Sequence, residues 1–597
     1  MKLIVRWQPL ALWGIALLGF LLRIYGLDWD QGNSFHPDER QILFHVTALS
    51  WPKSFAQFLD PISSPLNPHF FAYGSFPLYL LAWLGSVLVH ISPTLGTFAH
   101  LTLVGRVLSA IFDSGTVLLT GWLGLLLMRD DAAGDRFCWY VALLAAALVA
   151  FIPFQLQLSH FYAVDTMLLF FVTLTVLGCV ALVNTNRPLR FALVIGLGYG
   201  LGLATKFSAA PLAVPLLVAA LLRWYRRDFF SAFGSLVLAA AATIFVFLVA
   251  EPYALLDLPN FVQQVSEQGN LARGMLDLPY VRQFAGTIPY LYEAQNMLLW
   301  GLGVFLALAA CVGLVWLLWR AWRREAGLWA VLLCWVVVYG AITGSFYVKF
   351  MRYMLPVYPF LTLMAASGLV AFAHYCWDGA TRATARVAPT IFVKNPASWI
   401  IALVLAGTIF QGLALLNVYS TPNTRVQASR WMYSHLARGS VLTYEQWDDP
   451  LPVAVDGHDP SEFMQATYFD ANRQPATGLD LYGDDTLAKA RQLATLLPTL
   501  NAITMASDRL DKSIPRLPLR YPLTIRYYQL LFGGQLGFHL AAHFENHPHL
   551  FGIMLDDSGA DESYSVFDRP TVRIFVREDP YPYTSEQLLR KLLQGVQ

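Results

Sequence analysis

The sequence predicts a polytopic α-helical membrane protein that ends in a water-soluble α/β domain. Of its 597 residues, 56% are hydrophobic and only 13% are charged, which is too apolar for a soluble globular chain of this size. The charges are unevenly spread, because the 179 residues from Tyr419 onward hold 37 of the 79 Asp, Glu, Lys and Arg residues. That last third is long enough to bury a core of its own. The formal net charge of +1 argues against a nucleic-acid partner, which requires a clustered basic excess.

Eleven segments predict membrane-spanning helices, since each is an apolar run near the roughly 20 residues that a bilayer requires. The first follows Lys2 and Arg6 and has no small-residue cleavage site, so we expect a retained helix rather than a removed signal peptide. The predicted spans are 8–25, 101–128, 138–154, 161–183, 191–205, 207–222, 229–250, 298–319, 327–346, 353–373 and 397–418. They place a membrane domain over residues 1–418 and the soluble domain over residues 419–597.

Basic residues in the short loops predict the orientation of these spans, because such residues favour the cytoplasmic side. The loops on one side contain Lys2 and Arg6, Arg187 and Arg190, Arg223, Arg226 and Arg227, Arg320, Arg323 and Arg324, and Arg382, Arg386 and Lys394. We therefore expect a multi-pass plasma-membrane protein with a cytoplasmic N-terminus, outer loops at 26–75 and 251–297, and an extracytoplasmic C-terminal domain. The apolar segment 76–92 is predicted to be an interfacial helix on the outer leaflet. The alternative is an ordinary span, with one other helix miscounted.

Polar residues that insertion does not require collect at the outer ends of several predicted helices. They are Asp38, Glu39, His160, Tyr162, Asp165, Lys206, Glu251, Lys349 and Arg352. Singly, each has a simpler explanation: Asp165 as a helix cap, Lys206 as a residue that extends to the lipid headgroups, and Arg352 as an interfacial anchor beside Tyr353. As a set they indicate a binding site more specifically. Basic residues normally favour the cytoplasmic side, so basic residues held at the outer side indicate an anionic partner.

The chemistry of this set points to transfer from a donor with a phosphate leaving group. Carboxylates deprotonate or orient a hydroxyl acceptor, and Lys or Arg side chains stabilise a departing phosphate. At an outer membrane surface, the natural donor of this kind is a lipid-linked sugar, which together with the membrane lipids is the expected partner. The sequence has no strand-linked Gly-rich phosphate motif, so no nucleotide cofactor is expected. A divalent metal at the acidic site stays an open alternative.

Six short segments, taken in order, resemble those of one enzyme family. They are Phe35-His36-Pro37-Asp38-Glu39, Tyr73-Gly74-Ser75-Phe76-Pro77-Leu78-Tyr79, Gly105-Arg106-Val107-Leu108-Ser109-Ala110, Ala163-Val164-Asp165-Thr166-Met167-Leu168-Leu169-Phe170-Phe171, Gly202-Leu203-Ala204-Thr205-Lys206 and Arg352-Tyr353-Met354-Leu355-Pro356. Through them, roughly residues 1–420 resemble the polyprenyl-phosphate-dependent membrane glycosyltransferases of the GT-C fold. The group concerned is of the family 39 type and contains the protein O-mannosyltransferases and the lipid A aminoarabinose transferase.

The resemblance implies a role for each matching residue. Asp38 becomes the catalytic carboxylate and Glu39 its partner on the acceptor side, while Lys206 and Arg352 bind the donor phosphate and Asp165 supports the site. One departure concerns the Lys-Pro-Pro that often opens the juxtamembrane helix of this family, because Ser75-Phe76-Pro77 stands there. A phosphate contact from that point is therefore not expected by analogy.

The C-terminal third shows alternating helix and strand patterns that predict an α/β core. Helices are predicted at 425–437 and 484–497, and strands at 440–444, 502–505 and 572–576. The segment from Glu445 to Asp449 contains Trp447 and three acids, so it is either a contact for acceptor sugar or a polar loop with one packed aromatic. His543, His547 and His549 form a weak candidate for a metal site, for which exposed loop histidines are the alternative.

Two other classes of function stay open beside an enzyme. A transporter or flippase of lipid-linked glycans would place ionisable residues near the bilayer midplane. Here Arg106 and Asp113 are the main charges inside the membrane and the others gather at the outer end, which favours the enzyme. A membrane scaffold that presents the C-terminal domain would leave the outer basic residues without a role. The sequence does not fix the sugar, the stereochemical outcome or the acceptor, which is a glycan, a lipid or a protein.

Overall fold

The computed structural model of the chain describes residues 2–130, 134–383, 396–469 and 474–596. These residues form two compact units. The helical unit consists of Met1–Leu27, Pro37–Arg273 and Pro289–Leu416. The sheet unit consists of Asp28–His36, Gly274–Ile288 and Asn417–Gln597.

The helical unit contains eighteen α-helices within the described ranges. They are α1 (Lys2–Arg23), α2 (Pro37–Ala48), α3 (Phe55–Leu59), α4 (Ser75–Val89), α5 (Phe98–Asp130), α6 (Asp135–Ala150), α7 (Pro153–Ser159), α8 (Asp165–Asn184), α9 (Pro188–Leu203), α10 (Ala213–Arg226), α11 (Phe229–Ala250), α12 (Tyr253–Leu256), α13 (Leu258–Ala272), α14 (Leu291–Asn296), α15 (Val304–Trp322), α16 (Trp329–Gly344), α17 (Tyr358–Ala383) and α18 (Pro396–Leu416). Short 3₁₀ segments at Phe207–Leu212 and Met351–Val357 lead into α10 and α17.

Seven helices of the described chain are long and apolar enough to cross a membrane, or eight if the bent pair α6 and α7 forms one span. The protein is therefore a multi-pass membrane protein. Each of the eleven predicted spans coincides with a helix, but three of them are shorter apolar helices, at Trp7–Arg23, Pro188–Leu203 and Trp329–Gly344. A 16-residue helix such as α9 is only about 24 Å long, against a hydrocarbon core of about 30 Å. The count of eleven is thus not confirmed.

The structure bears on the predicted interfacial helix and on some of the basic loop residues. The segment predicted to be interfacial, 76–92, forms α4, a 15-residue helix that belongs to the shorter class. Of the basic loop residues used to orient the chain, Arg386 and Lys394 lie outside the described residues. The assignment of the two membrane sides stays a prediction.

The long helix α5 organises the helical unit, since α1, α6 and α8 pack against it. A buried apolar cluster joins α2, α4, α5 and α8. Its members include Ile42 and Leu43 of α2, Leu78 of α4, Leu101 of α5 and Met167 of α8. Because burial of such side chains is worth about 1.5–3 kcal/mol each, this cluster fixes the start of α2 relative to the start of α8. These are the helix ends that carry Asp38 and Asp165.

The sheet unit is built on one mixed five-stranded sheet. Its strands are β1 (Val441–Tyr444), β2 (Met464–Gln465), β3 (Thr467–Phe469), β4 (Pro475–Thr477), β5 (Ala502–Met505), β6 (Phe538–Phe544), β7 (His549–Leu550), β8 (Ile553–Met554) and β9 (Val572–Arg577). The order in the main sheet is β2-β1-β5-β9-β6, in which β1 runs parallel to β2 and β5, and β9 runs antiparallel to β5 and β6. The helices are α19 (Thr424–His435), α20 (Leu487–Leu496), α21 (Arg509–Ser513), α22 (Pro522–Phe532) and α23 (Ser585–Leu593).

The predicted elements of this unit agree with the structure. The helices expected at 425–437 and 484–497 are α19 and α20, and the three expected strands are β1, β5 and β9. The unit also includes two pieces of the predicted outer loops, which sequence patterns did not assign to it. The Asn423 amide donates to the carbonyl of Trp29 at 3.3 Å, and Arg282 donates to the carbonyl of Tyr482 at 3.0 Å.

Candidate functional site

The first part of the candidate site is an ion pair between Asp38 and Arg352. Asp38 lies in the first turn of α2, which begins at Pro37. Proline is suited to the first helical position and a carboxylate is favoured near a helix N-terminus. Nη1 of Arg352, in the Met351–Val357 turn, donates to Oδ2 of Asp38. Both side chains keep partial exposure, 17% for Asp38 and 16% for Arg352, so a ligand can reach them without disruption of the core.

The second part is an ion pair between Lys206 and Asp165. Asp165 is the first residue of α8, and Lys206 stands just beyond α9, before the Phe207–Leu212 turn. The Nζ of Lys206 donates to Oδ1 of Asp165 at 2.8 Å. Burial alone would lower the pKa of Lys206, but the negative charge of Asp165 and its hydrogen bond hold that pKa above its ordinary value. Lys206 is therefore a cation, and its side chain is 16% exposed.

Tyr353 joins the two ion pairs. Its ring centroid lies 5.3 Å from the Nζ of Lys206, a distance typical of a cation–π contact. Its main chain follows directly on Arg352, and its carbonyl accepts a hydrogen bond of 3.0 Å from the hydroxyl of Tyr339. Four residues predicted from separate segments of the sequence are thus brought to one place, as two cations, each beside a carboxylate.

Glu39, next to Asp38 in the sequence, is buried in an ion pair with Arg106. Both of its oxygens accept hydrogen bonds from Arg106, at 2.9 Å from Nε and 2.7 Å from Nη2. The main-chain amide of Tyr162 also donates to Glu39, at 2.9 Å, and the Glu39 and Arg106 side chains are both 0% exposed. A contact with an acceptor would require this buried bidentate pair to break. These contacts position α2 against α5 and the segment before α8. The acceptor-side role of Glu39 stays a prediction.

His160 and Tyr162, predicted to support the site, are buried structural residues. Both ring nitrogens of His160 lie 2.8 Å from main-chain carbonyl oxygens, those of Leu156 and Tyr25. The Tyr162 hydroxyl donates to the carbonyl of Pro77 at 2.8 Å. These bonds tie the segment before α8 to Tyr25, two residues after the end of α1, and to α4. The supporting role of His160 and Tyr162 in the site stays a prediction.

Lys349 also lies apart from the two ion pairs. Its side chain is buried, and Nζ donates to the carbonyl of Tyr347 at 2.8 Å. Burial lowers the pKa of Lys349, and the negative charge of Glu293 opposes that change. Of the two basic residues predicted around this turn, Arg352 forms one of the two ion pairs and Lys349 takes part in neither, so its supporting role stays a prediction.

Two buried ion pairs that join helices of the helical unit were not predicted from the sequence. The sequence marked Arg106 and Asp113 as unusual charges inside an apolar helix, and Arg106 also lies in one of the six family-like segments, but neither signal named a partner. Arg106 pairs with Glu39, and Asp113 pairs with Arg23 of α1 through a contact of 2.5 Å between Oδ2 and Nε. Because a buried charge is costly unless it is paired, such residues signal a partner elsewhere in the chain without naming it.

The two candidate segments of the sheet unit form internal contacts. Glu445 is buried and accepts a 2.6 Å hydrogen bond from Tyr528, and Asp448 pairs with Arg425 at 3.0 Å. No group of three or more His, Cys, Asp or Glu residues in the described ranges is arranged to hold a metal ion. His547 instead contacts Asp557, with 2.6 Å between Nδ1 and Oδ1.

The His547–Asp557 pair makes the stability of this segment depend on pH. The protonated imidazole of His547 donates a hydrogen bond to the Asp557 carboxylate, which raises the pKa of His547 above 6.5. The pair therefore stabilises the fold fully below pH about 6.5 and loses that contribution as pH rises through the raised pKa. Replacement of His547 by Gln is expected to speed amide exchange in 545–557 at pH 6 more than at pH 9. Measuring variant and unaltered chain at the same pH cancels the intrinsic exchange rates. An equal difference at both values would contradict the expectation.

Comparison with known proteins gives one family and several solved structures. Residues 131–250 match the family model described as dolichyl-phosphate-mannose-protein mannosyltransferase. The chain resembles that family. The match confirms the resemblance that the sequence motifs indicate, and it covers α6 to α11, with Asp165 and Lys206. No curated protein sequence matches the chain.

The solved structures span more of the chain at low sequence identity. They are the archaeal oligosaccharyltransferase AglB from Archaeoglobus fulgidus in complex with an inhibitory peptide and a dolichol-phosphate (TM-score 0.49, 14% identity, 92% of this chain and 75% of that chain), ArnT from Cupriavidus metallidurans bound to undecaprenyl phosphate (TM-score 0.48, 12% identity, 95% and 98%) and the S. cerevisiae protein O-mannosyltransferase Pmt1-Pmt2 complex bound to the sugar donor (TM-score 0.30, 17% identity, 46% and 36%). All three TM-scores lie below 0.5.

Proposed function

We propose that the chain is a membrane glycosyltransferase that moves a sugar from a polyprenyl-phosphate-linked donor to an acceptor at the outer membrane face, with release of polyprenyl phosphate. The observation that carries this proposal is the meeting of Lys206 and Arg352 through Tyr353, each cation beside one carboxylate. The family match over residues 131–250 supports the same reaction class. The sugar, the acceptor and any metal requirement are left open.

In the proposed mechanism the two cations hold the donor phosphate. Charge-assisted hydrogen bonds from Lys and Arg to phosphate are short and strong, and the same donors stabilise the charge that develops as the phosphate leaves. Binding of the phosphate transfers Arg352 from Asp38 to the donor, so the carboxylate becomes available to the acceptor. Asp38 then takes or shares the acceptor proton as the new glycosidic bond forms. Asp165 remains beside Lys206 and keeps it protonated and in place.

The direct test is incubation of the purified protein with a panel of polyprenyl-phosphate sugars and candidate acceptors. Release of polyprenyl phosphate and sugar transfer are measured together, so that hydrolysis and transfer are distinguished. At least one donor is expected to give acceptor-dependent release. If none of them is consumed, while control proteins of known activity use the same lipids, the proposed reaction is wrong.

If Lys206 and Arg352 both hold the donor phosphate, loss of either side chain should weaken donor binding. Lys206→Ala and Arg352→Ala are each expected to weaken binding of polyprenyl phosphate by about 10- to 100-fold, since a hydrogen bond to a charged group contributes about 1.5–3 kcal/mol. Lys53→Ala, at an exposed lysine of the 26–75 loop, is the matched control and should bind normally. Equilibrium binding in detergent or nanodiscs provides the measurement. Unchanged affinity in both variants would indicate that Lys206 and Arg352 serve only their ion pairs.

The proposed outer location of the sheet unit has a separate test. A cysteine at the exposed position Ala488, in α20, is expected to react with a membrane-impermeant thiol reagent in intact cells. Asn186→Cys, in the exposed loop between α8 and α9 that is predicted to be cytoplasmic, should react only after lysis. The unaltered chain supplies the background from its native thiols. Labelling of Ala488→Cys only after lysis would place the sheet unit inside.

A further inference from the structure

Glu251 is a buried acid that the proposed mechanism does not use. It stands at the end of α11, is 1% exposed, and its Oε1 accepts a hydrogen bond of 3.4 Å from the hydroxyl of Ser75. No cation in the described parts of the chain pairs with it. Burial of an unpaired carboxyl is costly. A structural role would be filled at lower cost by an apolar side chain, so the acid points to a ligand.

Ser75 holds this acid close to the Lys206 segment. The residues on either side of Ser75 are bonded to the chain just before Lys206: the amide of Gly74 donates to the carbonyl of Thr205 at 3.0 Å, and that of Phe76 donates to the carbonyl of Ala204 at 3.1 Å. A side chain at position 74 would lie 1.9 Å from the carbonyl oxygen of Ala204, so only glycine permits this approach. The main chain around Ser75 is thereby fixed against the segment that leads into Lys206.

An apolar cavity of about 770 Å³ adjoins the same pair. Its wall includes Trp83 of α4 and Val249 and Pro252 on either side of Glu251, together with Tyr79, one turn after Ser75. The Tyr79 hydroxyl is buried and lies close to Ser75, although no hydrogen bond of good geometry joins the two. The cavity wall is therefore mostly apolar, and Tyr79 brings a polar group to it. Ser75 and Glu251 are buried next to that wall and are not part of it.

The charge state of Glu251 suits a neutral ligand. Burial raises its pKa to about 8, which the hydrogen bonds from Ser75 only partly offset, so the carboxyl is protonated at pH 7. The ionisable group that faces it from α4 is the Tyr79 hydroxyl. A protonated carboxyl both donates and accepts hydrogen bonds. That is the pattern required by a sugar hydroxyl, whereas a phosphate or an ammonium group requires a charged partner.

We propose that Glu251, held by Ser75 near the segment that precedes Lys206, binds hydroxyl groups of the sugar on the lipid-linked donor and so discriminates between donor sugars. This inference rests on the proposed function. It assigns the phosphate to Lys206 and Arg352 and the sugar to a separate pair of residues. A buried site that hydrogen-bonds a substrate hydroxyl rejects a sugar that lacks this hydroxyl, because the polar groups of the site are then left unpaired. Such sites discriminate strongly between related substrates.

The test compares two ligands, polyprenyl phosphate without sugar and the polyprenyl-phosphate sugar that gives the highest transfer rate in the panel. Glu251→Ala is expected to lower affinity for the sugar-bearing donor about tenfold or more and to leave affinity for the sugarless lipid within about twofold. Glu251→Gln, a neutral side chain of the same shape, should restore most of the affinity. Glu267→Ala, at an exposed acid of α13, is the matched control.

Equal losses for both ligands, or no loss for either, would overturn the inference. If Glu251→Ala does not fold, Ser75→Ala removes the positioning hydroxyl and should show the same selective loss at a smaller size. Failure of the proposed function is a different result, because the unaltered chain would then transfer no sugar. A chain that transfers sugar normally but is insensitive to Glu251→Ala would refute this inference alone.

Discussion

Asp38→Asn is expected to lower turnover by roughly 10²- to 10⁴-fold, the usual contribution of a positioned general base, while donor binding persists. Asparagine keeps the size of the side chain and removes the charge that accepts the acceptor proton. Because α2 holds Asp38 at a helix N-terminus and Arg352 contacts it directly, the variant side chain should occupy the same place. A fall in kcat with little change in donor affinity is the signature of a group that acts in the transition state.

A matched substitution separates this effect from general loss of an ion pair. Asp135 also faces an arginine, Arg129, at 3.9 Å, but its side chain is 55% exposed. Asp135→Asn should retain normal turnover, measured as initial rates of polyprenyl phosphate release. Near-normal turnover of Asp38→Asn in a properly inserted protein would remove Asp38 from the mechanism. Asp165 and Glu251 would then be the next carboxyl groups to test.

Arg106→Leu is expected to destabilise the helical unit by about 3–5 kcal/mol, the typical result of breaking a buried ion pair on one side. Loss of the guanidinium leaves the buried Glu39 carboxylate without the charge of Arg106, although the amide of Tyr162 still donates to it. The carbonyl of Leu27, which accepts a 2.6 Å hydrogen bond from Arg106, also loses its donor. Thermal unfolding in detergent measures the change.

The double variant Glu39→Leu with Arg106→Leu distinguishes a broken pair from lost packing. Removal of both charges is expected to recover much of the loss, because well-packed apolar replacements of buried pairs are often neutral or stabilising. Disruption of the exposed Arg129–Asp135 pair should cost less than about 1 kcal/mol. A loss from Arg106→Leu as small as that control would show that the Glu39 contact is not a structural requirement.

The sequence by itself determined the class of each segment. Apolar runs identified a helix at each of the eleven predicted spans, and periodicity identified α19, α20, β1, β5 and β9 of the sheet unit. These predictions succeed because burial in a bilayer and alternation along a strand are local properties of the chain. The length criterion was less reliable, since short helices such as α9 and α16 are apolar without being long.

Only the tertiary structure decided which charged residues meet. Asp38 pairs with Arg352 across 314 positions of the sequence, Glu39 with Arg106 across 67, and Lys206 with Asp165 across 41. The adjacent acids Asp38 and Glu39 looked equivalent in sequence, yet one is partly exposed and the other is fully buried. Successive residues of a helix point in directions about 100° apart, so the packing of α2 against α4, α5 and α8 determined which of the two acids faces the candidate site.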